Sequence, residues 1–93
     1  NIQWYPKSGG FKKLHCERNS AHPECSNRVM AWMTYLNDIY DGGETFFDVQ
    51  QCKVAPRKGL TLVWPADWTH MHKGYPAPTE EKMIITGWYD LII

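Results

Sequence analysis

Glycine and proline cut this chain into pieces too short for a helical stripe to develop. Asp41-Gly42-Gly43, Pro56 to Gly59, Pro65-Ala66-Asp67 and the Gly74, Pro76, Pro78 series recur along it. These residue types form turns or cannot continue a helix. Between the breaks, apolar residues mostly alternate with period two. Arg28 to Leu36 (RVMAWMTYL) is rich in aromatic and β-branched side chains and reads as a central strand, with Ala, Met and Leu leaving a helix open. Glu44 to Val49, Gly59 to Trp64 and Lys82 to Ile92 read as further strands, and the polar, Pro-containing Asn19 to Asn27 as a loop. Strands spaced at roughly 8–12 residues with turns between them predict an all-β sandwich or barrel. A double-sheet jelly roll is one closed solution.

Ninety-three residues suit one domain with a small core, to which five Trp, five Tyr and three Phe contribute. Formal net charge is zero, which argues against nucleic-acid binding. No run of about 18 apolar residues is present, so no membrane span is expected. The start, Asn1-Ile2-Gln3-Trp4, has neither an initiator Met nor a signal-peptide pattern, and the chain is expected to be a piece of a longer protein. Cys16, Cys25 and Cys52 are an odd number, so reduced thiols in a cytoplasmic setting fit better than a disulfide framework.

The chemistry-bearing residues converge on a metal. His15 and Glu17 are one residue apart, and on a strand both would point to one face. His72 closes a set of two imidazoles and one carboxylate, the ligand set of a non-heme Fe(II) site with open positions. Taken alone, each histidine is as readily a solvated or core residue. His70 competes with His72 because the two would share a strand face; the spacing to Lys82 and the adjacent Gly74 favour His72 and leave His70 beside the site or on its substrate side. A rival zinc site from Cys16, His22, Cys25 and Cys52 follows no common zinc spacing. Lys82 follows His72 by ten residues, on what should be a neighbouring strand joined to it by a loop. Lys82, Ile84, Thr86 and Trp88 would share one face of that strand. A lysine inside a barrel needs an anionic partner, and a dicarboxylate co-substrate would supply it. Tyr35 could donate a hydrogen bond to the same carboxylate.

These residues form an ordered pattern: Tyr5 ten residues before His15, Thr34-Tyr35-Leu36-Asn37, Gly42-Gly43-Glu44-Thr45-x-Phe47, Val54-Ala55-Pro56-Arg57-Lys58-Gly59, Val63-Trp64-Pro65, His72-Lys73-Gly74 and Lys82-x5-Trp88. In this order and spacing the chain resembles the 2-oxoglutarate- and Fe(II)-dependent oxygenases, in particular their prolyl 4-hydroxylase-like branch. The resemblance runs from Tyr5 to Asp90. It implies a double-stranded β-helix with iron at His15, residue 17 and His72. It also implies that Lys82 holds the distal carboxylate of 2-oxoglutarate, that Tyr35 assists and that Tyr5 faces the iron-side carboxylate. Two departures stand out. The family usually has aspartate where this chain has Glu17, and the helices that usually precede the barrel are expected to be missing from this piece.

The function implied is hydroxylation of a C–H bond, coupled to conversion of 2-oxoglutarate to succinate and CO2. By resemblance the substrate is a prolyl residue of a peptide or protein, with ascorbate as a possible further cofactor. Trp68, His70 and the Asn19–Asn27 segment could form its rim, and Thr86 and Trp88 could face it. A barrel that retains the fold as a binding module without catalysis is the alternative, and Glu17 is its best argument. A cupin-like metal protein of other chemistry is a third reading, against which Lys82 speaks.

Overall fold

The computed structural model describes residues 1–10, 13–18 and 23–92. Among them the chain forms seven strands in two antiparallel sheets. Strands β1 (Ile2–Tyr5), β2 (Arg28–Tyr35), β5 (Thr61–Pro65) and β7 (Lys82–Asp90) make a four-stranded sheet in the order β1-β7-β2-β5. Strands β3 (Thr45–Phe47), β4 (Cys52–Val54) and β6 (His72–Gly74) make a three-stranded sheet in the order β4-β3-β6. A one-turn helix, α1 (Pro23–Ser26), precedes β2, and a 3-10 turn spans Trp68–His70. The architecture is the all-β jelly roll expected from the turn spacing.

The longest strands are the ones the alternation foretold. Along β2, Ala31, Met33 and Tyr35 are buried while Trp32 and Thr34 stay partly exposed, so period two sorts the strand into a core face and an outer face. In β7, Lys82 and Ile84 are buried and Met83 is not. The core joins Ala31, Met33, Tyr35, Phe47, Trp64 and Ile84, with Tyr5, Val54, Leu62 and Trp88 packed against it. Burying side chains of this size contributes about 1.5–3 kcal/mol each. Ala31 pairs in register with Trp64 on one side and Trp88 on the other. A methyl between two indoles leaves room above it, and that room becomes the floor of a cavity.

Several expectations need correction. His72 and Lys82 lie on consecutive strands, but β6 and β7 belong to different sheets and face each other across the sandwich. His15 and Glu17 are not on a strand: His15 makes an isolated two-bond bridge to His72 (N–H to carbonyl 2.9 and 2.8 Å), and Glu17 sits in a bend. Part of the Asn19–Asn27 loop is the α1 turn, and residues 19–22 lie outside the described residues. Strands β1 and β4 were not anticipated.

The Asp41-Gly42-Gly43 turn has a specific steric cause. Gly42 and Gly43 have φ of +77° and +73°, in the left-handed region. A Cβ on Gly42 would run into the backbone oxygen of Pro76. Gly42→Ala is therefore expected to destabilise the fold by about 1–3 kcal/mol, read as a lower urea midpoint at unchanged slope. An unchanged midpoint would show that the turn adapts freely.

Candidate active site

A cavity of about 250 Å³ opens between the sheets. Tyr5, His15, Glu17, Ala31, Thr45, Trp64, His72, Lys82, Thr86 and Trp88 are among its lining residues. Its size suits a small molecule held by a few placed polar groups.

His15, Glu17 and His72 form a cluster whose potential ligand atoms all lie within 4.8 Å of one another. The backbone builds it. Because His15 and His72 exchange both backbone hydrogen bonds, their rings come within 4.3 Å, centroid to centroid, and Glu17 turns back onto them. His72 Nε2 lies 2.9 Å from Glu17 Oε1, and His15 Nε2 lies 3.5 Å from the same oxygen. The opposite ring nitrogens are both committed. His15 Nδ1 meets the Lys13 carbonyl at 2.9 Å, and His72 Nδ1 meets the His70 carbonyl at 2.9 Å. A carbonyl only accepts, so each Nδ1 carries the proton and each Nε2 is left with its lone pair.

That arrangement tests the fit of a metal. Two imidazole lone pairs aimed at a carboxylate oxygen repel unless a proton or a cation lies among them. Donors about 2.1 Å from one metal and at right angles to each other are about 3 Å apart, close to the separations found here. Carbonyls on the far nitrogens are the usual support of metal-bound histidine. The residues present fit a divalent ion. Burial works against charge on Glu17, but when a proton takes the place of a metal on the facing nitrogens, hydrogen bonds from His15 and His72, with the Trp88 N–H, prevail and hold its carboxyl well below the usual carboxylate range. Burial works against charge on His15 too, but the Glu17 carboxylate and the Lys13 carbonyl favour the ring with both nitrogens protonated and raise its pKa.

Lys82 is 3 % exposed and has neither hydrogen bond nor ion pair among the described residues. Burial lowers its pKa to about 8, with Glu44 opposing. Register explains its neighbour: Lys82 pairs with Tyr5 across β1 and β7, and its Nζ lies 5.8 Å from the centre of the Tyr5 ring. The Tyr5 hydroxyl donates to Gln3 Oε1 at 2.6 Å. The Thr86 hydroxyl is buried in the cavity wall and lacks a hydrogen-bond partner among the described residues. A cation and a hydroxyl with no hydrogen-bond acceptor among the described residues, in one cavity, are donors for an anion.

Other expected site residues stand elsewhere. Tyr35 is fully buried; its hydroxyl is bonded to Thr45 Oγ1 at 2.6 Å and donates to the Val54 carbonyl at 3.2 Å. Thr45 lines the cavity and Tyr35 stands behind it. His70 does not share a strand face with His72, because residues 68–70 form the 3-10 turn. Its carbonyl orients His72, while its ring borders a separate cleft with Phe47, Gln50 and Cys52. Trp68 is 73 % exposed and does not line the cavity. Trp88 lines it and also donates its indole N–H to Glu17 Oε2 at 3.0 Å, a role not anticipated. Arg28 was missed altogether; its guanidinium stacks 4.0 Å from the centre of the Trp88 ring. The three cysteines are free, and among the described residues they join no metal-ligating group. His22, of the rival zinc reading, lies outside the described residues.

The family model described as the 2OG-Fe(II) oxygenase superfamily matches residues 1–90. The chain belongs to this superfamily. Fe(II) and 2-oxoglutarate come with membership, and the chain carries a ligand cluster and a buried lysine that suit them. Among curated proteins it is similar to prolyl 4-hydroxylase subunit alpha-1 of Bos taurus, 28% identical over an alignment of 69 residues that covers 67% of this chain and 13% of that protein. Its fold is similar to that of a viral collagen prolyl hydroxylase from Paramecium Bursaria Chlorella virus-1 in complex with 2OG. That likeness has TM-score 0.83 and 22% identity, covering 100% of this chain and 61% of the other. A Phytophthora capsici prolyl 4-hydroxylase is 26% identical with TM-score 0.77, covering 96% of this chain and 30% of that one. The chain thus spans about an eighth of the length of the curated relatives it matches.

No helix among the described residues is long and apolar enough to cross a membrane.

Proposed function

We propose that the chain is the core of a 2-oxoglutarate-dependent dioxygenase that hydroxylates a prolyl residue of a peptide or protein. The observation that carries this reading is one cavity lined both by a His-Glu-His cluster and by a buried lysine that has neither hydrogen bond nor ion pair among the described residues. His15, Glu17 and His72 hold Fe(II), which when bound supplies the oxidising chemistry at the C–H bond. The prolyl substrate is supported by the similarity to prolyl 4-hydroxylases.

The chain's own residues bind and orient. Lys82, with Thr86 and Thr45 beside it in the lining, pairs with the distal carboxylate of 2-oxoglutarate, and Tyr35 holds the Thr45 hydroxyl in place. Tyr5 covers the lysine and limits water access to it. The indoles of Trp64 and Trp88 keep the cavity wall apolar. Three free thiols suit a reducing compartment such as the cytoplasm. The test is incubation of Pro-containing peptides with the chain, Fe(II), ascorbate and 2-oxoglutarate, followed by mass spectrometry. A gain of one oxygen on proline is expected, and oxygen on another residue only would redirect the substrate assignment.

Lys82 also sets a pH limit. Its ammonium is the binding form, and its pKa in the folded chain is about 8. Affinity for 2-oxoglutarate should therefore hold below that value and fall above it, approaching tenfold per pH unit. A co-substrate affinity that stays flat to about pH 9.5 would contradict a lysine partner with this pKa.

The alternative, a barrel that keeps the pocket as a binding module without turnover, draws on Glu17. Binding of 2-oxoglutarate and metal with no succinate formed would favour it.

A further inference from the structure

We infer that Trp88 and Arg28 form a bracket on the outer oxygen of Glu17, and that this bracket fits a glutamate ligand to the site. The inference rests on His15, Glu17 and His72 being the metal site.

A glutamate has one more torsion than an aspartate, so a free glutamate can present either oxygen and loses more side-chain freedom when ordered. Here the two oxygens have separate neighbours. Oε1 faces His72 Nε2 at 2.9 Å and His15 Nε2 at 3.5 Å. Oε2 accepts from Trp88 Nε1 at 3.0 Å and lies 3.9 Å from the Arg28 guanidinium. An indole N–H only donates, so Trp88 cannot itself take a metal and engages the second oxygen alone. Arg28 reaches both ends of the residue, since its guanidinium also donates to the Glu17 backbone carbonyl at 3.3 Å. Stacking on Trp88 at 4.0 Å ties the two members of the bracket together.

The backbone carries an independent sign of the same arrangement. Inward positions of β2 are Ala31, Met33 and Tyr35, so unbroken alternation would turn Val29 inward and Arg28 outward. The register between β2 and β7 slips between Arg28 and Met30: Met30 pairs with Tyr89, yet Arg28 pairs with Asp90. The extra residue is Val29, which is 36 % exposed. The bulge brings Arg28 onto the strand face that carries Trp88, and re-aiming a side chain beside a site is a common use of a bulge. Trp88 and Arg28 are thus positioning residues, acting through Glu17.

An aspartate at position 17 is shorter by one methylene and could not keep both the imidazole contacts and the Trp88 bond. The bracket and the glutamate should therefore be coupled, and a double-mutant cycle isolates the coupling. The full chain is titrated with Co(II), followed by its visible absorption, as the unmodified protein, Trp88→Phe, Glu17→Asp and both together. Trp88→Phe is expected to weaken Co(II) binding by about 10–100-fold and to alter the band shape. Added to Glu17→Asp, the same substitution should change affinity by less than about threefold. Equal losses in the two backgrounds would overturn the bracket and leave Trp88 a wall residue. If circular dichroism shows that Trp88→Phe does not fold, Arg28→Met replaces it in the cycle, keeping an apolar stem on the indole while removing the charge. The same coupled result is expected there, and equal losses overturn the proposal. Failure of the unmodified chain to bind Co(II) would instead sink the metal-site reading on which the bracket rests.

Discussion

His72→Ala should abolish Fe(II) binding, whereas His70→Ala should largely preserve it. His72 contributes the most buried member of the cluster, at 5 % exposure, and its Nε2 is the atom nearest Glu17 Oε1. Removing it leaves one imidazole and one carboxylate, too few to hold a divalent ion against water at one face. His70 acts only through its carbonyl, which alanine retains. Losing the His70 ring removes a Thr69 contact and an edge contact with Phe47, neither of them in the cluster. Metal titration of the two variants separates the roles, and a reversal of the expected order would mean that the wrong histidine has been assigned.

Lys82 should show opposite effects on binding and stability. Lys82→Ala leaves the distal carboxylate of 2-oxoglutarate buried without a counter-charge, a loss of about 3–5 kcal/mol or roughly 10² to 4 × 10³-fold in affinity. Lys82→Arg should lose less, because the charge stays while the fork geometry differs. Stability should move the other way. In the folded chain the Lys82 pKa is about 8, below its ordinary value of 10.5, because burial disfavours the ammonium. Below pH 8 the folded state therefore bears the full penalty, on the order of 3 kcal/mol. Between about pH 8 and 10.5 the unfolded chain binds more protons than the folded one, so stability from this group rises with pH and then levels off. Lys82→Met keeps the volume and removes the penalty. It should raise the urea midpoint at pH 7 and lose the rise above pH 8, while binding 2-oxoglutarate as weakly as Lys82→Ala. A variant both less stable and still able to bind the co-substrate would remove Lys82 from the site.

The sequence was most legible where period two runs long enough to be counted. β2 and β7 are eight and nine residues long, so their buried faces can be read from alternation alone, and the inward place of Lys82 follows from it. β1, at four residues, and β4, at three, offer too few alternations to stand out from a loop. The His15–Glu17 spacing led to the right neighbours by the wrong geometry. An isolated bridge, made by backbone hydrogen bonds to His72, brings the pair together where no strand exists. His70 and His72 were separated by a 3-10 turn that a two-residue spacing cannot reveal. The Trp88 contact with Glu17 links positions 71 residues apart, and the aim of Arg28 depends on a bulge that leaves no mark in the local pattern. Both are tertiary facts, visible only once β2 and β7 are paired.

The most direct test is release of succinate from 2-oxoglutarate by the chain with Fe(II) and ascorbate, with His72→Ala and Lys82→Ala run alongside. Metal-dependent succinate from the unmodified chain, with none from His72→Ala and a loss from Lys82→Ala that excess 2-oxoglutarate restores, is the result expected. Equal succinate from all three proteins, or none from an unmodified chain that binds both Fe(II) and 2-oxoglutarate, would contradict it.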